Sequence, residues 1–284
     1  MPKLYVIGTP LGNLEDMSFR SLRILREVSL VAAEDTRISR KLLTYYGIQT
    51  RLTSFHDDNA SVKIPIILAA LINSDVALVS EAGMPGISDP GTSLVVAAAE
   101  HGFQVVPVPG PSAVTTALSI SGMPAQEFVF MGFLPRKKSH RQIAISSIAL
   151  QHRTLVIFES PHRVKATLSD LFRLLGDRRI SICRELTKLH EEVFRGTISQ
   201  GIEQFDSPRG EFTLVISGSD QERIKEGPDM AWINQELHRL HDEGRTPKEL
   251  VNLLSIATGL SKRQIYRLWL DLQDNSRSPS NDES

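Results

Sequence analysis

The chain has 284 residues, 41% hydrophobic and 23% charged, a globular balance at a length suited to two domains. One cysteine, Cys183, excludes a disulfide framework and a multi-cysteine zinc site, and no apolar run approaches the ~18 residues of a membrane span. The formal net charge of −1 argues against a polyanion partner only if charge is evenly spread.

It is not evenly spread. Residues 1–133 hold 9 basic against 12 acidic side chains, residues 134–197 hold 13 against 6, and residues 198–284 hold 10 against 15. A neutral total therefore conceals a basic middle, net +7, with four of the eight histidines. The opening Met1-Pro2-Lys3-Leu4 runs into a strand-like segment without a signal-peptide pattern, which predicts a soluble cytoplasmic protein.

The first 133 residues alternate strand and helix signals. Leu4 to Ile7 reads as a strand ending at Gly8, and Ser18 to Glu27 as a helix with Leu22, Ile24 and Leu25 grouped on one side. Leu30 to Ala33, Val76 to Val79 and Gln104 to Val108 read as strands. Ser39 to Tyr46, Ile64 to Asn73, Thr92 to His101 and Ser112 to Ser121 read as helices, several stopped by glycine. Fully apolar strands alternating with helices predict a mainly parallel sheet covered on both faces.

A second alternating set follows a loop over Gly132 to Ser139: strands at Thr154 to Phe158, Arg179 to Cys183, Glu192 to Arg195 and Phe212 to Ser217, with a helix at Val164 to Leu175. Residues 219–229 are polar and end in Gly-Pro-Asp, a linker signal. Beyond it, Trp232 to His241 is helical, and Thr246-Pro247-Lys248-Glu249 and Ser261-Lys262-Arg263-Gln264 are capping boxes, the second opening a helix through Leu270. The short Ala257-Thr258-Gly259 turn gives helix-turn-helix spacing. The domains predicted are 1–133, 134–219 and 230–272, with a disordered tail at 273–284.

A P-loop motif and the GxGxxG dinucleotide fingerprint are both absent, as are HExxH and any Cys/His cluster, so no metal is expected. Three loops at strand carboxyl ends stand out instead: Pro10 to Asn13, Ser80 to Gly91, and Pro109 to Ala113. The middle one packs three glycines, two prolines and two carboxylates into twelve residues. Glycine lets a ligand approach the backbone, and parallel sheets bind ligands at this edge, so together the loops predict a small-molecule pocket. Tyr45 and Tyr46 close a helix and suit either a core or a contact role. Cys183 reads as a buried small hydrophobe, and Trp232 and Trp269 as core of the helical module.

The stretches VIGTPLGNLEDMSFR, AEDTR, SEAGMPGISDPG, VPGPSAVTTALSISG, FMGFLPRK, FESPHR and CRELTKLHEEVFRG resemble the tetrapyrrole-methylase-type family of S-adenosylmethionine enzymes. The likeness covers about Leu4 to Ser217, and the loop around Glu81 and the CREL segment resemble the branch that methylates small-subunit ribosomal RNA. The terminal helices resemble the appendage such enzymes often carry. This implies two α/β domains with a bent S-adenosyl-L-methionine in the cleft between them, and a homodimer. Cofactor contacts implied are Pro10, Gly83, Met84, Ile87, Ser112, Ala113, Glu159 and Leu186. Where the family commonly has Gly-Asp-Pro, this chain has Gly83-Met84-Pro85; an acidic contact is missing, and its role passes to Glu81, Asp89 or backbone atoms.

The reaction implied is methylation of a ribose 2′-hydroxyl of a decoding-region cytidine, in free 16S ribosomal RNA or the assembled 30S subunit. Glu81 and Glu159, ending strands that face the cleft, are the candidate bases, with Arg184 orienting the RNA. Arg136, Lys137, Lys138, Arg141 and Lys188 are the candidate RNA contacts, since basic side chains supply most nonspecific affinity for nucleic acid. Lys262, Arg263 and Arg267 in the last helix suit the same role. Two rivals share parts of this pattern: a tetrapyrrole C-methyltransferase, which needs neither the basic middle nor the helical module, and a non-enzymatic helix-turn-helix DNA-binding regulator, which leaves the three loops idle.

Overall fold

The computed structural model describes residues 2–205, 209–219, 230–242, 244–258 and 260–277, and the chain divides into two compact units, Met1–Ser219 and Asp220–Ser284. In the first unit, strands β1 (Lys3–Ile7), β2 (Leu30–Ala33), β3 (Arg51–Ser54), β4 (Val76–Val79) and β5 (Gln104–Val108) form one sheet in the order β3-β2-β4-β1-β5. Every pairing in it is parallel, as the apolar runs of β2 and β4 predict. Helices α1 (Phe19–Glu27) and α2 (Thr36–Tyr45) bury Ile24, Leu25 and Leu43 on one face, while α3 (Ala60–Leu71) and α4 (Thr92–Glu100) bury Ile67, Leu71, Leu94 and Ala98 on the other.

Sequence reasoning missed β3 because Arg51-Leu52-Thr53-Ser54 has no apolar run; as an edge strand it has one sheet neighbour and stays half-open. Helix α3 begins at Ala60, earlier than its apolar run suggests, and holds Pro65 inside it.

The second sheet is different in kind. Strands β6 (Phe128–Phe133), β7 (Thr154–Glu159), β8 (Arg179–Arg184), β9 (Glu192–Thr197) and β10 (Phe212–Ile216) lie in the order β6-β7-β10-β8-β9. Only β6 and β7 run parallel; the other pairings are antiparallel. This sheet starts at Phe128, ahead of the basic segment, and Gly132 belongs to a bulged strand rather than a loop. Strict alternation sorts its side chains. Leu155, Ile157, Ile180, Ile182, Leu214 and Ile216 pack with α6 (Lys138–Ser146), α7 (Val164–Leu175) and α8 (Ile198–Gln204). Val156, Cys183 and Val215 point the other way, onto Val114, Ala117 and Leu118 of α5 (Ala113–Ser121). Helix α5 leaves the first sheet and buries its apolar side against the second, which welds the two halves and fixes the cleft between them.

Cys183 is buried, as expected of a small hydrophobe. Among the described residues no helix is long and apolar enough to cross a membrane.

The second unit holds α9 (Met230–Asp242), α10 (Pro247–Thr258) and α11 (Lys262–Arg277) around Ile233, Leu237, Leu240, Leu250, Leu254, Ile265 and Trp269. Both capping boxes form: Thr246 and Glu249, and Ser261 and Gln264, bond reciprocally. Helix α11 runs past Leu270 to Arg277, since no glycine or proline intervenes before Pro279. The predicted linker from residue 220, Gly259, the side chain of Trp232 and the last seven residues of the tail lie outside the described residues.

Candidate active site

The loops after β1, β4 and β5 meet because those strands are neighbours in the order β4-β1-β5. Gly8 and Gly110 pack backbone to backbone: a Cβ on Gly8 would stand 2.8 Å from the Gly110 Cα and 2.7 Å from the Met84 sulfur. Thr9 and Gly83 exchange two backbone hydrogen bonds, Thr9 donating at 2.9 Å and Gly83 at 3.0 Å. Gly83 takes φ +82°, which only glycine adopts cheaply, and this turn is what lets it meet Thr9 and lock the second loop to the first. Ser88 is held at φ +65° without that freedom.

The opposite wall comes from the second sheet. Phe133 ends β6, Phe158 and Glu159 end β7, and Glu211 to Thr213 open β10. Because β10 runs antiparallel to β7, with Phe212 opposite Glu159, its first residues stand at the same edge as the last of β7. Between the walls lies a cavity of about 350 Å³ with an apolar floor of Leu11, Met84, Phe133, Phe158 and Phe212. That size holds one small molecule.

Its charge is one-sided. Glu34, Glu81, Asp89, Glu159 and Glu211 line it, and among the described residues the lining has no lysine, arginine or histidine. Burial, reinforced by Glu34, Glu81 and Glu211, pushes the Asp89 carboxyl up to about 6 against the hydrogen bond from Ser80. Glu81 is also raised, by partial burial and by Glu34, Asp35 and Glu211, with Arg37 opposing. Glu159 is a different object. It is 1% exposed; the Ser160 N–H donates to it at 2.9 Å, the Thr167 hydroxyl at 2.6 Å, and Arg163 stands 3.3 Å away. Its oxygens are committed to the start of α7, whereas Glu81 is exposed and accepts from no such set.

The structure brings Gly83, Met84, Ile87, Ser112, Ala113, Glu81 and Glu159 together around the cavity. It does not bring Pro10, Leu186 or Arg184 there. Pro10 lines a neighbouring hollow, and Leu186 packs under α5. Arg184 donates to the Arg209 carbonyl at 2.6 Å and to Glu192 at 3.0 Å.

Among the expected RNA contacts, Arg136, Lys137 and Lys138 are exposed, a few residues beyond Phe133 of the cavity wall. Arg141 is a correction: it is 6% exposed and donates twice to Asp170, at 2.9 and 2.7 Å, so it ties α6 to α7 and does not reach solvent. Lys188 is half-buried and paired, 3.0 Å from both Glu185 and Glu211, and its stem lies over Gly12, where a Cβ would meet it at 2.2 Å. Beside it the Asn13 N–H donates to the Thr187 hydroxyl at 3.1 Å, a second tie between the first loop and the second half. Glu34, Phe133, Glu211 and Thr213 line the cavity without having been singled out. Glu34 and Phe133 had a signal, their places in the AEDTR and FMGFLPRK segments.

Comparison with known proteins fits this geometry. The sequence profile of the family described as Tetrapyrrole (Corrin/Porphyrin) Methylases matches residues 3–201. A Ribosomal RNA small subunit methyltransferase I from Halalkalibacterium halodurans is 42% identical over 274 residues, 94% of each chain. One of the same name from Thermotoga maritima is 48% identical over 223 residues, 78% of this chain and 100% of its own. Among solved structures, a diphthine synthase superposes with TM-score 0.60 at 14% identity, covering 77% of this chain and 90% of its own. A uroporphyrin-III-C-methyltransferase from Thermus thermophilus gives 0.55 at 19%, covering 77% and 95%.

Proposed function

From its membership of the tetrapyrrole (corrin/porphyrin) methylase family, to which this chain belongs, we propose that it methylates the ribose 2′-hydroxyl of a decoding-region cytidine in 16S ribosomal RNA, free or within the 30S subunit, as a homodimer. The chain is an S-adenosyl-L-methionine-dependent methyltransferase. The residues present fit that donor: a cavity for one small molecule, lined by five carboxylates with no basic side chain among the described residues, suits a ligand carrying a sulfonium and an ammonium. When bound, S-adenosyl-L-methionine supplies an activated methyl group and leaves as a neutral thioether.

Gly83, Met84 and Ile87 would hold it from one side, and Ser112, Ala113 and the Phe158–Glu159 strand end from others. The chain's further tasks are to position the hydroxyl and to take its proton. Glu81 suits the second task, because its carboxyl is exposed at the cavity and raised above the ordinary range. Asp89 has a raised carboxyl deeper in the same wall. Glu159 is a positioning residue, its oxygens spent on Thr167, Ser160 and Arg163.

The single observation that carries this reading is the carboxylate-lined cavity at the meeting of the three glycine-rich loops. An RNA substrate is supported by the names of the relatives and by exposed Arg136, Lys137 and Lys138 close in sequence to its wall. The test is incubation of the protein with methyl-labelled S-adenosyl-L-methionine and, separately, 30S subunits, free 16S RNA and a porphyrinoid. Label on a cytidine ribose of the RNA is expected; label on the porphyrinoid alone overturns the proposal.

A further inference from the structure

The donor cavity holds one small molecule, so an acceptor has to be seated beside it. Directly adjacent lies a second hollow of about the same volume, 350 Å³, which shares Leu11, Glu81 and Ala82 with the first. Its far side is one face of α2, where Ile38, Lys41, Leu42 and Tyr45 recur at helical spacing.

This face leaves two large side chains open to solvent beside the hollow. Ile38 and Tyr45 are 41% and 61% exposed, although both are large and apolar in body. Tyr45 is braced edge-on by Tyr46, ring centroids 4.9 Å apart at 88°, and the Tyr46 hydroxyl is anchored on the Leu14 carbonyl of the first loop. One turn before this ring on the same helix, Lys41 is exposed and lines the same hollow. In a half of the chain with net negative charge, a cation thus stands beside an exposed aromatic ring.

An exposed, braced aromatic ring with a lysine one turn away, over an apolar hollow of one-nucleoside size, is the chemistry that stacks an unpaired base and holds its phosphate. We propose that this hollow is the acceptor subsite, taking a single unstacked nucleoside of an RNA strand. Its base lies on Tyr45, its phosphate faces Lys41, and its ribose stands against the shared wall at Glu81. The inference rests on the methyltransferase reading of the neighbouring cavity. It adds where the substrate enters, on the α2 side of the first two loops.

The test uses the full chain and two titrations. One is calorimetry with S-adenosyl-L-methionine. The other is binding of a short single-stranded RNA carrying one fluorescent cytidine analogue, whose emission is quenched by stacking. Wild type is expected to bind both and to quench the analogue. Tyr45→Ala is expected to weaken RNA binding by roughly 5- to 100-fold and to abolish quenching, since stacking on an aromatic side chain carries this much affinity. Tyr45→Phe is expected to retain both, and Lys41→Glu to weaken RNA binding only. All three variants should bind S-adenosyl-L-methionine as wild type does, which also shows that they fold.

RNA binding and quenching that survive Tyr45→Ala overturn the subsite while leaving the donor cavity standing. A loss of S-adenosyl-L-methionine affinity in Tyr45→Ala also overturns it, because the ring would then act through the donor cavity. Failure of wild type to bind S-adenosyl-L-methionine sinks the reading of the cavity itself, and the subsite with it.

Discussion

The two walls of the cleft treat charge in opposite ways. On the wall built by the second sheet, carboxylates are settled: Glu159 is bonded to Thr167 and Ser160 beside Arg163, and Asp170 behind it accepts from Arg141, Gln142 and Arg173. On the wall built by the first sheet, Glu81 and Asp89 crowd Glu34 with no basic partner among the lining residues, and both are raised. Settled charge holds the scaffold; unsettled charge is available to a cationic ligand and a proton. Lys188 joins the two, pairing with Glu185 and Glu211 while lying over Gly12 of the first loop.

The largest expected effects come from exchanging these roles. Glu81→Gln removes a proton acceptor without changing shape, and should lower kcat on 30S subunits by about 10²–10⁴-fold with unfolding in urea unchanged. If Glu81→Gln turns over like wild type, the unsettled wall is not the chemical one. Asp170→Ala should do the reverse. It leaves Arg141, 7% exposed in its side chain, buried without its carboxylate, at a cost of about 3–5 kcal/mol in urea unfolding. Arg141→Ala should also destabilise, and tight RNA binding by the fraction of it that remains folded would show that Arg141 acts in the scaffold and not on the substrate.

How much of this was legible beforehand follows the same division. The loops of the first wall advertise themselves, since Gly83, Gly86 and Gly91 all take positive φ and no other residue does so cheaply. The second wall is assembled by topology. Glu211 and Thr213 reach the cavity because β10 is inserted antiparallel between β7 and β8, and no local pattern in Glu211-Phe212-Thr213 states that neighbour relation. Charge counting failed at Arg141 for a related reason. A composition of net +7 counts side chains but not their partners, and Asp170 lies 29 residues from Arg141. The alternation of strands and helices likewise predicted elements well, but not that the second sheet is mostly antiparallel.

Asp89 gives a smaller, pH-dependent way to sharpen the contrast. Its carboxyl is raised from 3.8 to about 6, so its ionised form destabilises the fold. Below about pH 4 it is protonated folded and unfolded alike, and Asp89→Asn should change stability little. Above pH 6 the penalty is fully present, and Asp89→Asn should stabilise by about 1–2 kcal/mol in urea melts at pH 8. A cationic donor favours the ionised form, so S-adenosyl-L-methionine affinity should rise as pH increases through about 6 in wild type and stay flat there in Asp89→Asn. A pH-independent affinity in wild type would remove Asp89 from the set of groups that feel the ligand.

The smallest effect expected concerns the cations that the fold leaves exposed, and its form matters more than its size. Arg136, Lys137 and Lys138 sit at the start of α6, and Lys137 is its N-cap, a position that makes no side-chain cap hydrogen bond. Losing one of them costs the scaffold nothing comparable to Asp170→Ala. If it faces an RNA phosphate, Lys137→Ala should weaken binding by less than about tenfold at low salt and reduce the slope of log K against log salt by about 0.7–0.9. The deficit should shrink as salt is raised, because the wild-type advantage is released counterion. A settled residue such as Arg141 would give the opposite pattern: a stability loss that salt does not erase, and an RNA slope that does not change.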